Sequence, residues 1–120
     1  MKWELSIEDG NYLLVKTSGH IDLQSFLSML RDSIAECEKQ NCNRIFIDNR
    51  KIDGVINIFD IYSIPELFDK INWAHRLHVV LLSTPQHEQD FRFLELVCRN
   101  RGYSVATFKK MEDALMSINK

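Results

Sequence analysis

Two short segments in which every residue is apolar constrain the fold of this chain most strongly. They are Ile45–Ile47 and Val79–Leu82. A strand that is apolar at every position is typical of a sheet covered on both faces, because a strand with one solvated face alternates instead. Such sheets are largely parallel, and parallel neighbours need a long crossover connection, usually a helix. The two segments therefore predict the centre of an α/β sheet.

The start of the chain predicts an antiparallel hairpin. Residues 3, 5 and 7 are apolar and alternate with polar neighbours, which indicates a strand with one buried face. The Asp-Gly-Asn sequence at 9–11 supplies residues that tolerate a positive φ in a tight turn. We expect the returning strand to run from Tyr12 to Ser18 and to end at Gly19.

Helical and capping patterns occupy the intervals between the later strands. Asp22 is a favoured N-cap residue, and Ser63 with Glu66 matches a capping box next to Pro65. A last strand is predicted at Ser104–Phe108. The predicted helices run from Asp22 to about Gln40, from about Asn57 to Asn72 with a break at Pro65, from His87 to Arg101, and from about Met111 to the end.

The order of elements defines the predicted fold class. It is α/β, an open mixed five-stranded sheet in the order β-β-α-β-α-β-α-β-α, with one antiparallel edge hairpin. Each strand–helix–strand unit should cross over right-handedly and give parallel neighbours. A length of 120 residues suits a single domain spanning residues 1–120.

The charge balance and the hydropathy pattern exclude two classes of partner. Fifteen basic residues against seventeen acidic ones give a net charge of −2, so no strong field is available to attract nucleic acid. No apolar segment approaches the length of a membrane span, and the first residues carry charges where a signal peptide needs an apolar core. We expect a cytoplasmic protein.

The cysteines predict neither a disulfide nor a zinc site. Cys37, Cys42 and Cys98 are odd in number and have no CxxC spacing. On a continuous helix, Cys37 and Cys42 would point about 140° apart. Reduced thiols suit the cytoplasm. The histidine pairs lack a third ligand beside them, so no metal and no cofactor are expected.

Three segments carry a resemblance to a known family. The stretch from Arg44 to Arg50, the helix containing Phe91 and Phe93 before Gly102, and the final pattern from Phe108 to Leu115 resemble the bacterial SpoIIAA-like family. The resemblance covers essentially the whole chain. It implies the fold of STAS domains, which are anti-sigma-factor antagonists, and it implies a grouping with CRAL-TRIO lipid-binding domains.

One departure from the family pattern concerns its regulation. Classical STAS antagonists switch partners when a kinase phosphorylates a serine at the start of the helix after the third main strand. Here the matching stretch, Val55–Asp60, contains no hydroxyl, and Gly54 comes too early to take the place of the family's glycine. The resemblance therefore implies a binding surface without the usual serine switch.

The predicted ends of two strands bring together the candidate binding residues. Ligands of open α/β sheets bind beyond the carboxyl ends of the parallel strands. A polar rim for an anion or a partner backbone is one interpretation; local roles as caps, loop hydrogen bonds and an ion pair of Arg50 with Asp48 or Asp60 are the other. The residues at this edge are Asp48, Asn49 and Arg50 after the first of these strands, Asn57 at the start of the helix that follows that strand, and Ser83 and Thr84 after the second strand.

Two aromatic residues form the second part of the candidate site. If residues 58–64 are helical, Phe59 and Tyr62 lie off the apolar face, at i and i+3. Exposed neighbouring aromatics mark a contact surface or the lip of an apolar pocket. The alternative is that Pro65 breaks the helix and both rings return to the core.

These patterns favour a non-enzymatic binding or regulatory module. We expect protein–protein interaction, with a different protein or a second copy of the chain, and no serine phospho-switch. The alternative is a carrier of a small apolar or lipid-like ligand, which requires a cavity beneath the second helix. No Walker loop, dinucleotide fingerprint or nucleophile motif is present, so no catalytic residue is assigned.

Overall fold

The strands form one five-stranded sheet in a computed structural model that describes residues 1–120. The strand order is β1-β2-β3-β4-β5, with β1 antiparallel to β2 and all other neighbours parallel. This confirms the predicted mixed sheet and its antiparallel edge hairpin. The strands are β1 Lys2–Glu8, β2 Tyr12–His20, β3 Arg44–Asp53, β4 His78–Leu82 and β5 Ser104–Phe108.

The helices lie where the sequence predicts them, with the second one split in two. Asp22 caps α1, because its Oδ1 accepts a hydrogen bond from the Ser25 N–H at 2.9 Å. None of the helices is long and apolar enough to cross a membrane. The helices are α1 Leu23–Lys39, α2 Ile58–Ile61, α3 Ile64–Asp69, α4 Glu88–Asn100 and α5 Met111–Ile118, with short 3₁₀ turns at Ala74–Arg76 and Pro85–His87.

The predicted capping box at Ser63 is wrong. Ser63 has helical backbone angles, φ −81° and ψ −17°, whereas a capping residue is normally extended. Its hydroxyl instead donates to the carbonyl of Asp60, at 2.6 Å. Ser63 therefore belongs to the end of α2 as much as to the start of α3.

The helices cover the two faces of the sheet unequally. Three consecutive crossovers step in one direction across the sheet, and crossovers of one hand that do so place their helices on the same face. Side chains of α1, α3 and α4 accordingly join one cluster of 25 buried residues, which includes Ile45, Ile47, Val79 and Leu81. Only α5 covers the other face, where Ala114 and Ile118 pack on Phe46, Val80 and Leu82. The segments Ile45–Ile47 of β3 and Val79–Leu82 of β4 are apolar at every position because both faces of the sheet are covered there.

Two strands run further than predicted. β2 does not end at Gly19 but continues to His20, which pairs with Asp53. β3 continues from Asp48 to Asp53 through a bulge, in which Thr17 of β2 lies opposite two residues, Asn49 and Arg50. Asp48, Asn49 and Arg50 therefore lie inside a strand, and the prediction that they follow one is wrong.

Candidate functional site

A row of buried polar side chains crosses the sheet at the level where β4 ends. Asp48 pairs with Leu82, so the next residues, Asn49 and Ser83, come level with each other. Thr17 on β2 completes the row, and its hydroxyl lies 2.7 Å from Asn49 Oδ1. Asn49 and Ser83 thus follow directly after a pair of residues that lie opposite each other on adjacent strands. Thr17 was missed, although a threonine two residues after the core residue Val15 is the signal that would have found it.

The row lies inside the protein. Thr17, Asn49 and Ser83 are all buried, and two of their atoms, Asn49 Nδ2 and Ser83 Oγ, have no hydrogen-bonding partner. An unsatisfied buried polar group costs roughly 1–3 kcal/mol. Because neither side chain reaches the surface, Asn49 and Ser83 do not form the polar rim that is one interpretation of the sequence.

Asp48 and Arg50 form an ion pair beside the bulge. Arg50 donates from Nε to Oδ1 of Asp48 at 3.0 Å and from a terminal nitrogen to Oδ2 at 2.9 Å. The backbone N–H of Arg50 also donates to Oδ1, at 3.1 Å. Burial acts to raise the pKa of Asp48, but the Arg50 hydrogen bonds and the charges of Arg50 and Lys16 outweigh it and lower that pKa. This pair is formed, and the alternative pair with Asp60 is not.

A buried histidine ties the end of β4 to the end of β3. His87 Nε2 lies 2.7 Å from the carbonyl oxygen of Gly54, and Nδ1 lies 3.3 Å from Thr84 Oγ1. A carbonyl only accepts, so Nε2 carries a proton; in the neutral imidazole, Nδ1 then accepts from the Thr84 hydroxyl. Thr84 thus bonds to a side chain and does not cap the following turn, in contrast to the local role considered for it.

The exposed part of the site is an apolar patch around α2. Asn57 caps this four-residue helix, since its Oδ1 accepts from the Phe59 N–H at 2.8 Å. Phe59 is 79% exposed, and Tyr62 is 53% exposed. The Tyr62 ring packs edge-on against Phe93 of α4, with 5.2 Å between centroids. We call this surface the α2 patch; it consists of Val55, Ile58, Phe59 and Tyr62.

The sequence placed Phe59 and Tyr62 in this region but did not identify Val55 and Ile58. Val55 is 71% exposed and Ile58 is 53% exposed. The signal available was the apolar character of residues 55–59 in a stretch that carries turn and capping residues. Ile61 alone anchors the helix from below, at 2% exposure. The helix therefore presents most of its apolar side chains to solvent.

The interior beneath α2 has almost no free space. The cavity there measures about 10 Å³, which is room for one water molecule at most. A lipid-like ligand does not fit under α2 without displacing the helix. The cavity is lined by Ile21, Ile56, Ile61, His87, Asp90, Phe91 and Leu94.

A broad concavity lies on the opposite face of the sheet, beside α5. It is an open groove of about 720 Å³ over β1, β2 and β3. Its lining mixes apolar side chains such as Leu14 and Phe46 with charged ones such as Lys16 and Asp48. No group of three His, Cys, Asp or Glu side chains comes together in a way that could hold a metal ion.

Comparison with solved structures identifies the fold. The chain matches the crystal structure of an uncharacterised DUF3478 protein with a SpoIIAA-like fold from Shewanella loihica PV-4, with a TM-score of 0.56 and 15% identity over 96% of this chain and 90% of that one. It also matches the unphosphorylated form of the anti-sigma factor antagonist SpoIIAA, with a TM-score of 0.55 and 11% identity over 98% of each chain. The chain has the SpoIIAA-like fold.

The likeness lies in the fold and covers nearly the whole chain, which confirms the resemblance inferred from the sequence. No family model and no curated protein matches the sequence. In this SpoIIAA-like fold, the α2 patch follows the carboxyl end of β3. That is the edge at which open α/β sheets bind their ligands.

Proposed function

We propose that this chain is a non-enzymatic regulatory module that binds a protein partner through the α2 patch. The observation that carries the proposal is the exposure of four apolar side chains on one short helix and the residues that flank it, with Phe59 79% exposed. Clustered exposed apolar side chains mark interaction surfaces, and aromatic residues supply much of the energy of binding. One solved protein of this fold, SpoIIAA, is an anti-sigma factor antagonist, which supports a regulatory role.

The contacts around α2 favour a preformed surface. Ile61 is buried in the main core, Asn57 caps the helix, and Tyr62 packs against Phe93. A surface that is already ordered loses less conformational entropy when a partner binds. The partner would therefore meet Phe59 on a backbone that is already ordered.

In this proposal, binding does not depend on phosphorylation of a serine at the start of α2. The capping position is Asn57, whose amide oxygen already accepts the Phe59 N–H. Residues 55–60 contain no serine, threonine or tyrosine. The module, taken as residues 1–120, would bind whenever its partner is present.

Site-specific photo-cross-linking tests the proposal. A photoreactive amino acid is placed at position 59, and separately at position 116, in the cells that make the protein. Met116 is a matched control because it is 71% exposed but lies on α5. We expect a discrete cross-linked protein, or a cross-linked second copy, from position 59 and none from position 116. The same pattern of cross-links from both positions, or none from either, contradicts the proposal.

A further inference from the structure

The end of α1 folds back on itself and brings two cysteines together. The helix ends at Lys39, and Asn41 then takes the left-handed conformation, with φ +58°. The N–H of Cys42 donates to the carbonyl of Cys37, at 2.9 Å. This is the pattern in which a left-handed residue closes a helix.

The reversal overturns the prediction that these two cysteines point apart. Their Sγ atoms lie 2.6 Å apart. The expected separation of about 140° holds only for a continuous helix. Asn41 ends that continuity one residue before Cys42.

We propose that Cys37 and Cys42 are a site of reversible oxidation, at which a disulfide joins the end of α1 to the loop before β3. The two sulfurs already lie side by side, so the bond forms without a large movement of the backbone. Cys98 makes no sulfur–sulfur contact and is buried. The proposal therefore concerns this pair alone.

Access determines which thiol reacts first. Cys37 is fully buried, whereas Cys42 is partly exposed. Cys42 lines a surface groove of about 380 Å³ together with Trp73 and Arg76. Burial, reinforced by Cys42, also raises the pKa of the Cys37 thiol well above its usual range. An oxidant thus reaches Cys42 first.

With glutathione disulfide as the oxidant, the reaction takes two exchange steps. The Cys42 thiolate attacks one glutathione sulfur, which forms a mixed disulfide and releases one glutathione thiolate. Cys37 then loses its proton and attacks Cys42 Sγ, which forms the Cys37–Cys42 bond and releases the second glutathione thiolate. The protons of both cysteines end on the two glutathione thiols. The protein loses two electrons, and glutathione disulfide gains them.

The test combines mass spectrometry with thermal unfolding of the full chain. Reduced protein is incubated with excess glutathione disulfide, and peptides are mapped without reduction. We expect a Cys37–Cys42 cross-link, a mass lower by two hydrogen atoms, and reversal by dithiothreitol. A six-residue loop closed in this way should raise the unfolding midpoint by about 5–10 °C.

Two variants make the result specific. Cys42→Ser should lose both the mass change and the midpoint shift, whereas the control Cys98→Ala should keep them. Wild-type protein that retains both thiols, stops at a glutathione adduct, or links Cys98 instead would overturn the proposal. Because this site precedes β3 and the α2 patch follows it, either proposal can fail without the other.

Discussion

The members of the buried polar row contribute unequally to stability. Thr17 donates a hydrogen bond to Asn49 Oδ1, while the hydroxyl of Ser83 bonds to nothing. When one partner of a buried hydrogen bond is removed, the other partner stays buried without a bond, and its desolvation penalty lowers the free energy of unfolding. Losing a hydroxyl that makes no bond removes a penalty instead.

Substitutions at Thr17 and Ser83 should therefore differ in their effect on the free energy of unfolding. Thr17→Val should lower the free energy of unfolding by about 1–3 kcal/mol, because it leaves Asn49 Oδ1 unpaired. Ser83→Ala should change it by less than about 0.5 kcal/mol or raise it. Urea unfolding monitored by fluorescence measures both. A Ser83→Ala variant as unstable as Thr17→Val would show that the Ser83 hydroxyl makes a stabilising hydrogen bond in solution.

The lowered pKa of Asp48 predicts a contribution to acid stability. A carboxyl whose pKa is lower in the folded state stabilises the fold above its unfolded pKa, and this contribution is lost as the pH falls through the folded pKa. Removing the charge by Asp48→Asn should cost about 1 kcal/mol at pH 7, since Arg50 is half exposed. The difference from wild type should shrink below about pH 4.

Urea unfolding from pH 7 to pH 2.5 measures this difference. Glu38→Gln is the control, because Glu38 is exposed and makes no ion pair. Its curve should follow that of wild type. An Asp48→Asn deficit that stays constant at all pH values would show that the ion pair does not stabilise the fold.

At the scale of elements, the sequence predicted which helices and strands exist better than where they end. Periodicity and buried apolar runs depend on many residues, so they identified α1, α4 and the central strands. The end of β3 depends on one bulge, and Asp48 to Arg50 resemble the polar residues that usually follow a strand. The Cys37–Cys42 contact depends on the backbone of Asn41 alone, although asparagine after a helix is a known signal for that turn.

In the short helix α2, Ile61 packs into the core and Phe59 is exposed to a potential partner. Ile61 is 2% exposed and Phe59 is 79% exposed. Ile61→Ala should lower the free energy of unfolding by about 2–5 kcal/mol, because it leaves a cavity in the core. Phe59→Ala should change it by less than about 0.5 kcal/mol. If chemical denaturation shows a large loss for Phe59→Ala, that ring supports the fold and is not free for a partner.

At the scale of the whole molecule, the strands of the sheet differ in how far their amides are protected from exchange with solvent. β3 and β4 each have a neighbour on both sides, and their apolar residues are covered on both faces. β1 is an edge strand, and the groove beside α5 leaves one of its faces open. The centre of the sheet should therefore open only with global unfolding.

Hydrogen exchange measured by mass spectrometry or NMR tests this difference. We expect the amides of Ile45–Ile47 and Val79–Leu82 to exchange most slowly. The hydrogen-bonded amides of β1 should exchange at least about tenfold faster. Equal protection of β1 and β3 would indicate that the open face is covered in solution.

The overall topology followed from the sequence because long-range features carried it, whereas the function rests on one local surface. Apolar runs at every position required a sheet covered on both sides, and the order of elements then left few topologies. The α2 patch could be predicted only in part, because the exposure of Phe59 depends on how Pro65 and Ile61 place the helix. The function of the α2 patch depends on a partner that no pattern in the sequence predicts.

The most direct test of the account is the affinity of the protein for the partner that cross-linking at position 59 identifies. Titration calorimetry measures the affinity of wild type, Phe59→Ala and the control Met116→Ala. If the partner is a second copy of the chain, light scattering over a dilution series measures the dimer affinity instead. We predict that Phe59→Ala weakens binding at least about tenfold, as expected for an aromatic anchor, and that Met116→Ala leaves it unchanged. Equal affinities for wild type and Phe59→Ala would contradict the assignment of the α2 patch as the binding surface.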